Sequence, residues 1–279
     1  MKLIKSIFGL EESKAIRLVI GLNQVDNLDE INWDEKLNMP SKRAEAIIKR
    51  KCEDIIRKFS VACDISKDNF EFYSATKKYN LIPLLTKIIK YSEKNSFVLG
   101  DVNPADPFED ADDEVKTFVK QEREKREART KFPKFTIEKF IEGLKETLPE
   151  KDIDRLIGEF GDAKKSPPKI AVIGKTGVGK TTTVNNLFNA KFKESSILVG
   201  TTKAQEKIFN LDSGGELKII DLPGYGRSIK EDIEYDKIYR EIIPKCDVLL
   251  LIIQADTRDL REDQKMLIKI KSWLSETEK

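Results

Sequence analysis

The sequence predicts a layered α/β fold with a mostly parallel sheet, and three observations predict it. Apolar runs of strand length alternate with stretches of helical periodicity along the chain. Three of these runs, Ala15 to Leu22, Lys169 to Ile173 and Asp247 to Ile253, are nearly continuous, as strands covered on both faces require. A glycine-rich loop, Gly174 to Thr181, is set between one such run and a helical stretch.

In chain order, Ala15 to Leu22 is a buried strand that ends in Asn23-Gln24-Val25-Asp26. Ala44, Ile47, Ile48, Cys52, Ile55, Ile56 and Phe59 then recur at helical spacing and define an amphipathic helix after Pro40. A short strand, Asn69 to Tyr73, runs into Ser74-Ala75-Thr76. Leu81, Leu84, Leu85, Ile88 and Ile89 mark a second helix, with Asn80 as its cap and Pro83 in the first turn. This first section, residues 1–94, reads strand, helix, strand, helix.

Residues 95–134 change character. Asp101 to Glu114 is acidic and holds Pro104 and Pro107, and Lys116 to Lys131 mixes both charges densely, which predicts a charged linker carrying one exposed helix. Residues 135–168 form a small helical segment, two short helices broken at Pro149 and stopped at Gly161, before Ser166-Pro167-Pro168. Residues 169–279 then read strand, glycine-rich loop, helix (Thr181 to Phe188) and a loop through Thr202. A hairpin of Ala204 to Leu211 and Glu216 to Ile220 turns at Ser213-Gly214-Gly215. Asp221-Leu222-Pro223-Gly224, a helix near 231–243, the Asp247 to Ile253 strand and a helix near 262–274 complete the chain.

Composition excludes several chemistries. Histidine is absent from the 279 residues, which removes His-based triads, His-ligated metals and imidazole switching near neutral pH. The three cysteines, Cys52, Cys63 and Cys246, form no CxxC pair and read as buried small hydrophobes in a reducing compartment. The 51 basic residues nearly cancel the 49 acidic ones, so net charge argues for neither a nucleic-acid nor a membrane partner. No stretch of about 18 apolar residues occurs and Met1 to Lys14 lacks a long uncharged core, so neither a signal peptide nor a membrane span is expected. The expectation is a cytoplasmic protein.

The chemistry is concentrated in the last section. Gly174-Lys175-Thr176-Gly177-Val178-Gly179-Lys180-Thr181 matches GxxxxGK[ST] in the strand-to-helix setting that this motif needs, with Thr182 following it. Its glycines let backbone N–H groups curl around a polyphosphate, and the helix N-terminus adds positive potential. Lys180 then reaches the β- and γ-phosphates and Thr181 offers a hydroxyl to Mg²⁺. Asp221, followed by Leu-Pro-Gly at a strand end, suits an acid that holds Mg²⁺ and a Gly224 N–H that senses the γ-phosphate. Thr202, on the intervening loop, is placed to close onto Mg²⁺ when that phosphate is present, with Thr201 as the alternative.

These motifs make the chain resemble the translation-factor-related class of P-loop GTPases, its Era-like branch above all, and within it the bacterial GTPases described as ribosome-binding. The resemblance implies a three-layer P-loop NTPase G domain with a mostly parallel six-stranded sheet. It also implies two guanine motifs, and both lie ahead of the P-loop section rather than after it. Asn23-Gln24-Val25-Asp26 resembles [NT]KxD, whose aspartate accepts from guanine N1 and N2, and Ser74-Ala75-Thr76 resembles the SAx motif, whose backbone N–H meets guanine O6. The order is that of a circularly permuted G domain, in which residues 1–94 are the guanine-recognition lobe and 169–279 the P-loop and switch lobe. A linker of about 40 residues spans about 35 Å as a random coil, enough to join the two.

What the resemblance implies for function is GTP or GDP binding with Mg²⁺ and slow hydrolysis of GTP, with Lys180, Thr202 and Gly224 about the reacting phosphate. Gln24 replaces the motif's lysine, and Tyr225 stands where Ras-like proteins carry a water-orienting glutamine, so hydrolysis is expected to be slow or to need help. A binding or assembly module with little turnover is the alternative, and an ATP-using P-loop protein is a third. Arg227 and Arg258 read as solvated loop arginines. The Glu122 to Lys131 stretch reads as a solvated helix face, with an RNA, ribosomal or protein effector as the competing reading. Leu3-Ile4-Lys5, Leu10 and Glu12 repeat Leu267-Ile268-Lys269, Leu274 and Glu276 at one offset. If that overlap is a relic of duplication, the surplus copy serves a homo-oligomer or a domain swap; if it joins two unrelated Lys/Leu/Ile-rich helices, it serves neither.

Overall fold

A computed structural model describes residues 17–28, 33–60, 65, 67–92, 102, 104–109, 111–127, 167–190, 192, 204–211 and 216–277. The eight strands described are β1 (Arg17–Asn23), β2 (Trp33–Asp34), β3 (Met39–Pro40), β4 (Phe70–Phe72), β5 (Lys169–Gly174), β6 (Gln205–Asn210), β7 (Glu216–Asp221) and β8 (Val248–Gln254). The α-helices described are α1 (Lys42–Phe59), α2 (Leu81–Tyr91), α3 (Asp113–Glu127), α4 (Lys180–Phe188), α5 (Ile229–Ile242) and α6 (Arg261–Thr277). The Leu3 to Glu12 repeat, the 135–160 helices, the Ser213 turn, Cys63 and Thr202 lie outside the described residues.

Six strands form one sheet in the order β4-β1-β8-β5-β7-β6, parallel throughout except for the β6–β7 hairpin pair. This is the mostly parallel α/β sheet that the alternation of elements predicts. β1, from the first section, lies beside β8, the last strand of the chain, in a register that pairs Leu18 with Leu249 and Asn23 with Gln254, and β4 pairs with the outer side of β1.

Strand periodicity explains the three layers. Leu249, Leu251 and Ile253 of β8 point with Ala171 and Ile173 of β5 into one core, where Ile48, Ile55 and Phe59 of α1, Tyr239 of α5 and Met266, Ile270 and Trp273 of α6 cover them. Val248, Leu250 and Ile252 point the other way with Ile170 and Val172, under Leu84, Leu85 and Ile88 of α2 and Val184, Leu187 and Phe188 of α4. A strand buried on both faces has no polar positions to spare, which is why β8 reads as an unbroken apolar run.

Helix starts follow the caps only in part. Ser41 accepts from the Ala44 N–H to open α1, and Ser228 accepts from the Glu231 N–H to open α5. Asn80 occupies the cap position of α2 but does not cap it: its backbone is left-handed and its amide donates to the Phe72 carbonyl at 2.7 Å and to Glu71 at 3.0 Å. The short β2–β3 hairpin, Trp33–Asp34 against Met39–Pro40, was not foreseen. The 95–134 segment is less detached than a solvated linker, because Val102 and Val119 are buried and the Ala105 N–H donates to the Asn186 carbonyl in α4 at 2.8 Å. Both described cysteines are small apolar fillers, and burial pushes the Cys52 and Cys246 thiols up to about 12.

Candidate functional site

The carboxyl ends of β1, β5, β7 and β8 meet along one rim of the sheet, the place where open α/β sheets bind ligands. The loop after β5 turns through Gly177 at φ +87° and Gly179 at φ +85°, conformations open to glycine and costly for other residues. Gly179 also sits where no β-carbon fits, since one would lie 2.5 Å from the Asn23 amide nitrogen. Lys180 begins α4 and is buried; its ammonium folds back over the loop and donates to the Lys175 carbonyl at 2.9 Å.

Burial lowers the Lys180 pKa to about 8, with the nearby Asp221 opposing that shift. The unfolded chain's lysine keeps its proton up to the ordinary 10.5, so across pH 8 to 10.5 the unfolded state binds more protons. The ligand-free fold therefore gains stability from this group as pH rises through that interval. A phosphate bound at this loop would reverse the bias by stabilising the ammonium, so binding of a phosphate ligand at pH 9 is expected to take up protons. Calorimetric titrations in buffers of different ionisation enthalpy measure that uptake, and heats independent of the buffer would contradict it.

Thr181 and Asp221 meet as the motifs require. The Thr181 hydroxyl donates to Asp221 Oδ2 at 2.6 Å, while the other oxygen, Oδ1, is buried with no hydrogen-bond partner among the described residues. Burial pushes the Asp221 carboxyl up from its ordinary range, so this oxygen lacks compensation in the protein alone. A hydroxyl beside an orphaned carboxylate oxygen fits Mg²⁺, a hard cation that completes its shell with phosphate and water oxygens. Among the described residues no group of three or more acidic, cysteine or histidine side chains is placed to hold a metal ion. Thr202, the third expected ligand, lies outside the described residues.

The first section supplies the other half of the rim. Asn23 is 1% exposed and bridges two loops: its amide donates to the Val178 carbonyl at 2.9 Å, and its carbonyl oxygen accepts from the Ala75 N–H at 2.9 Å. Tyr73, also buried, shares a 2.9 Å hydrogen bond with Thr183 of α4, and the Asn186 amide donates to the Ala75 carbonyl at 2.8 Å. Residues 23–26 and 73–76 are thus tied to the glycine-rich loop and its helix at three points. Gln24 has φ +62° and Asp26 lies in the 3₁₀ turn Val25–Leu28, with its Oδ1 buried and unpartnered among the described residues. Asp26, Asn27, Trp33, Glu35 and Lys77 line a pocket of about 220 Å³.

Three placements refine the sequence expectations. Of the 74–76 loop, expected to offer a backbone N–H to guanine O6, the Ala75 N–H is taken by Asn23, and the adjacent Thr76 is exposed with its N–H accepted by no described residue. Lys175 directs its ammonium away to Asp263 at 2.9 Å and to the Asp259 carbonyl at 2.8 Å, so only its backbone remains for a phosphate. Tyr225 is 2% exposed and donates to Asp263 at 2.7 Å, and burial raises its pKa well above the ordinary value, which keeps it a donor. Arg227 pairs with Glu231 at 3.5 Å, in line with a loop arginine. Tyr73, Thr183, Asn186 and Asp263 were missed by sequence reading. Only the tyrosine just before Ser74 carried a signal, its place at the end of a predicted strand.

Comparison with known proteins finds its similarity over the last section. Residues 169–278 match the family model described as 50S ribosome-binding GTPase. The chain is 36% identical over 118 residues to the uncharacterized protein YkfA of Escherichia coli, covering 42% of this chain and 41% of that one. It is 34% identical over 135 residues to GTPase Der of Karelsulcia muelleri, 45% of this chain and 31% of that one. To GTPase HflX of Caldanaerobacter subterraneus it is 29% identical over 139 residues, 50% and 32%. The chain therefore spans less than half the length of each. Over residues 169–278 the chain is thus similar to the 50S ribosome-binding GTPase family.

Proposed function

We propose that this chain is a circularly permuted G domain that binds GTP and GDP with Mg²⁺ and hydrolyses GTP slowly as a nucleotide-controlled switch. The observation that carries the reading is Asn23, whose one side chain holds the glycine-rich loop and the 74–76 loop together. Backbone N–H groups of Gly174 to Thr182 cradle the phosphates, and Lys180 neutralises them. Thr181, Asp221 and Thr202 hold Mg²⁺, and Gly224 reads the γ-phosphate. Asp26 accepts from guanine N1 and N2, Gln24 covers the base, and the 74–76 loop supplies a donor for O6, now assigned to the Thr76 N–H. A water activated by position and by the phosphate itself is the nucleophile.

In this reading residues 1–94 are the guanine lobe, 95–134 a connector docked on α4, 135–168 a helical segment and 169–279 the P-loop lobe. The same reading places the chain in the cytoplasm; no helix among the described residues is long and apolar enough to cross a membrane. Its effector is a protein or a ribosomal RNA surface, and a homo-oligomer or domain swap joins the surplus helix copy.

The test is displacement of a fluorescent GTP analogue, in Mg²⁺, by GTP, ATP and XTP. Selective displacement by GTP is expected; equal displacement by ATP would remove the guanine assignment and leave only the phosphate site. The alternative, a binding or assembly module with little turnover, is favoured by Tyr225, whose side chain stands after Gly224 but is committed to Asp263 rather than to a water. Single-turnover release of phosphate separates the two.

A further inference from the structure

Three charged side chains are buried among the described residues, Lys180, Asp221 and Asp263. The first two belong to motifs and have phosphate and Mg²⁺ chemistry to account for them. Asp263, in the first turn of α6, belongs to none, yet a carboxylate is held 1% exposed there. Its partners explain the position. One oxygen accepts from the Tyr225 hydroxyl at 2.7 Å, and the Lys175 ammonium stands 2.9 Å from the other.

Those partners come from the two segments that face each other across the γ-phosphate position. Lys175 opens the glycine-rich loop, and Tyr225 follows Gly224. The backbones are joined as well: the Thr176 N–H donates to the Tyr225 carbonyl at 3.0 Å and the Thr176 hydroxyl to the Gly224 carbonyl at 3.1 Å. Gly224 consequently lies against the loop, where a β-carbon would come within 2.7 Å of both Lys180 Nζ and Thr176 Cα. An oxygen that accepts from Lys180 and from the Gly224 N–H has to enter at that contact. It must lift Gly224 and Tyr225 off Thr176.

We infer that Tyr225 and Asp263 form a latch that holds the Asp221 to Gly226 turn down on the glycine-rich loop, as positioning residues that set the site's preference for diphosphate over triphosphate. The inference rests on the guanine nucleotide reading and adds a regulation to it. A hydrogen bond to a buried carboxylate is stronger than one between neutral groups, and lifting Tyr225 leaves Asp263 enclosed with Lys175 alone. The diphosphate makes no such demand, so the latch discriminates by differential binding. It also gives α6 a direct link to the nucleotide state, since the same carboxylate anchors that helix to both segments.

The test uses the full chain with Mg²⁺ and compares affinities for GDP and GTPγS in wild type, Tyr225→Phe and Asp263→Asn. Tyr225→Phe removes a single oxygen and leaves the ring in the core. The ratio of GTPγS to GDP affinity is expected to rise about tenfold, with GDP affinity changing less than about twofold, and Asp263→Asn should move the ratio the same way. If both affinities shift together in Tyr225→Phe, the contact is merely structural and the inference is overturned. Wild-type protein that binds neither nucleotide would instead defeat the guanine reading. The latch itself is then read from hydrogen exchange of the ligand-free chain, where Tyr225→Phe should speed exchange of the Thr176 amide about tenfold; an unchanged rate overturns it.

Discussion

Asp26→Asn is expected to convert the protein from a guanosine to a xanthosine triphosphate binder. Guanine presents two donors, N1–H and the N2 amine, and a carboxylate accepts both. Xanthine keeps the N1 donor but carries a carbonyl at C2, and an asparagine amide offers it one acceptor and one donor. The bond at C2 changes sign of fit and the bond at N1 loses its charge assistance, so GTP affinity should fall by about 100- to 1000-fold while XTP affinity rises. The fold should be indifferent, because Asp26 Oδ1 has no partner among the described residues and its neighbour Val25 rather than Asp26 packs in the core. Competition of GTP and XTP for the same fluorescent nucleotide, with a thermal melt of each variant, measures both halves. An unchanged base preference in a well-folded variant would refute the assignment of Asp26.

Much of the sheet was legible because burial on two faces writes itself into composition. The β5 and β8 strands have no solvent face to mark with polar residues, and each is followed by a helix whose apolar residues turn to the core. The glycine-rich loop was legible for a different reason: its left-handed positions and its lysine are demanded by local geometry, so they appear as a fixed spacing. Asp263 and Asn186 lacked any such constraint. An aspartate in the first turn of a helix is ordinary for the helix dipole, and nothing local tells that this one faces inward to Lys175 and Tyr225. The Lys175 side chain escaped for the same reason, since its motif position fixes its backbone and leaves the side chain to tertiary neighbours. The β2–β3 hairpin escaped because two strands of two residues each are too short for periodicity, and Trp33 is held by a 3.3 Å bond to Asn38 and an edge contact to Tyr79. The proposed order of the lobes rests on motif order, and the β1–β8 pairing is what supports it in space.

Asn23→Ala should be the most damaging single change to the proposed union of the two lobes. The side chain is 1% exposed and satisfies one acceptor, the Val178 carbonyl, and one donor, the Ala75 N–H. Alanine can satisfy neither. Each buried group left without a partner costs about 1–3 kcal/mol, so a loss of about 2–4 kcal/mol is expected, with the thermal midpoint lower by roughly 5–15 °C. Asn23→Asp separates the two contacts, because a carboxylate still accepts from Ala75 while facing the Val178 carbonyl with an oxygen instead of a donor. It should therefore be at least as destabilising near neutral pH and recover as pH falls and the carboxyl protonates, since the protonated oxygen donates again. Denaturant unfolding and guanine nucleotide affinity of the two variants, taken at pH 5 and pH 7.5, test the argument. Wild-type stability and affinity in Asn23→Ala would mean that the remaining ties, Tyr73 to Thr183 and Asn186 to Ala75, hold the rim without it.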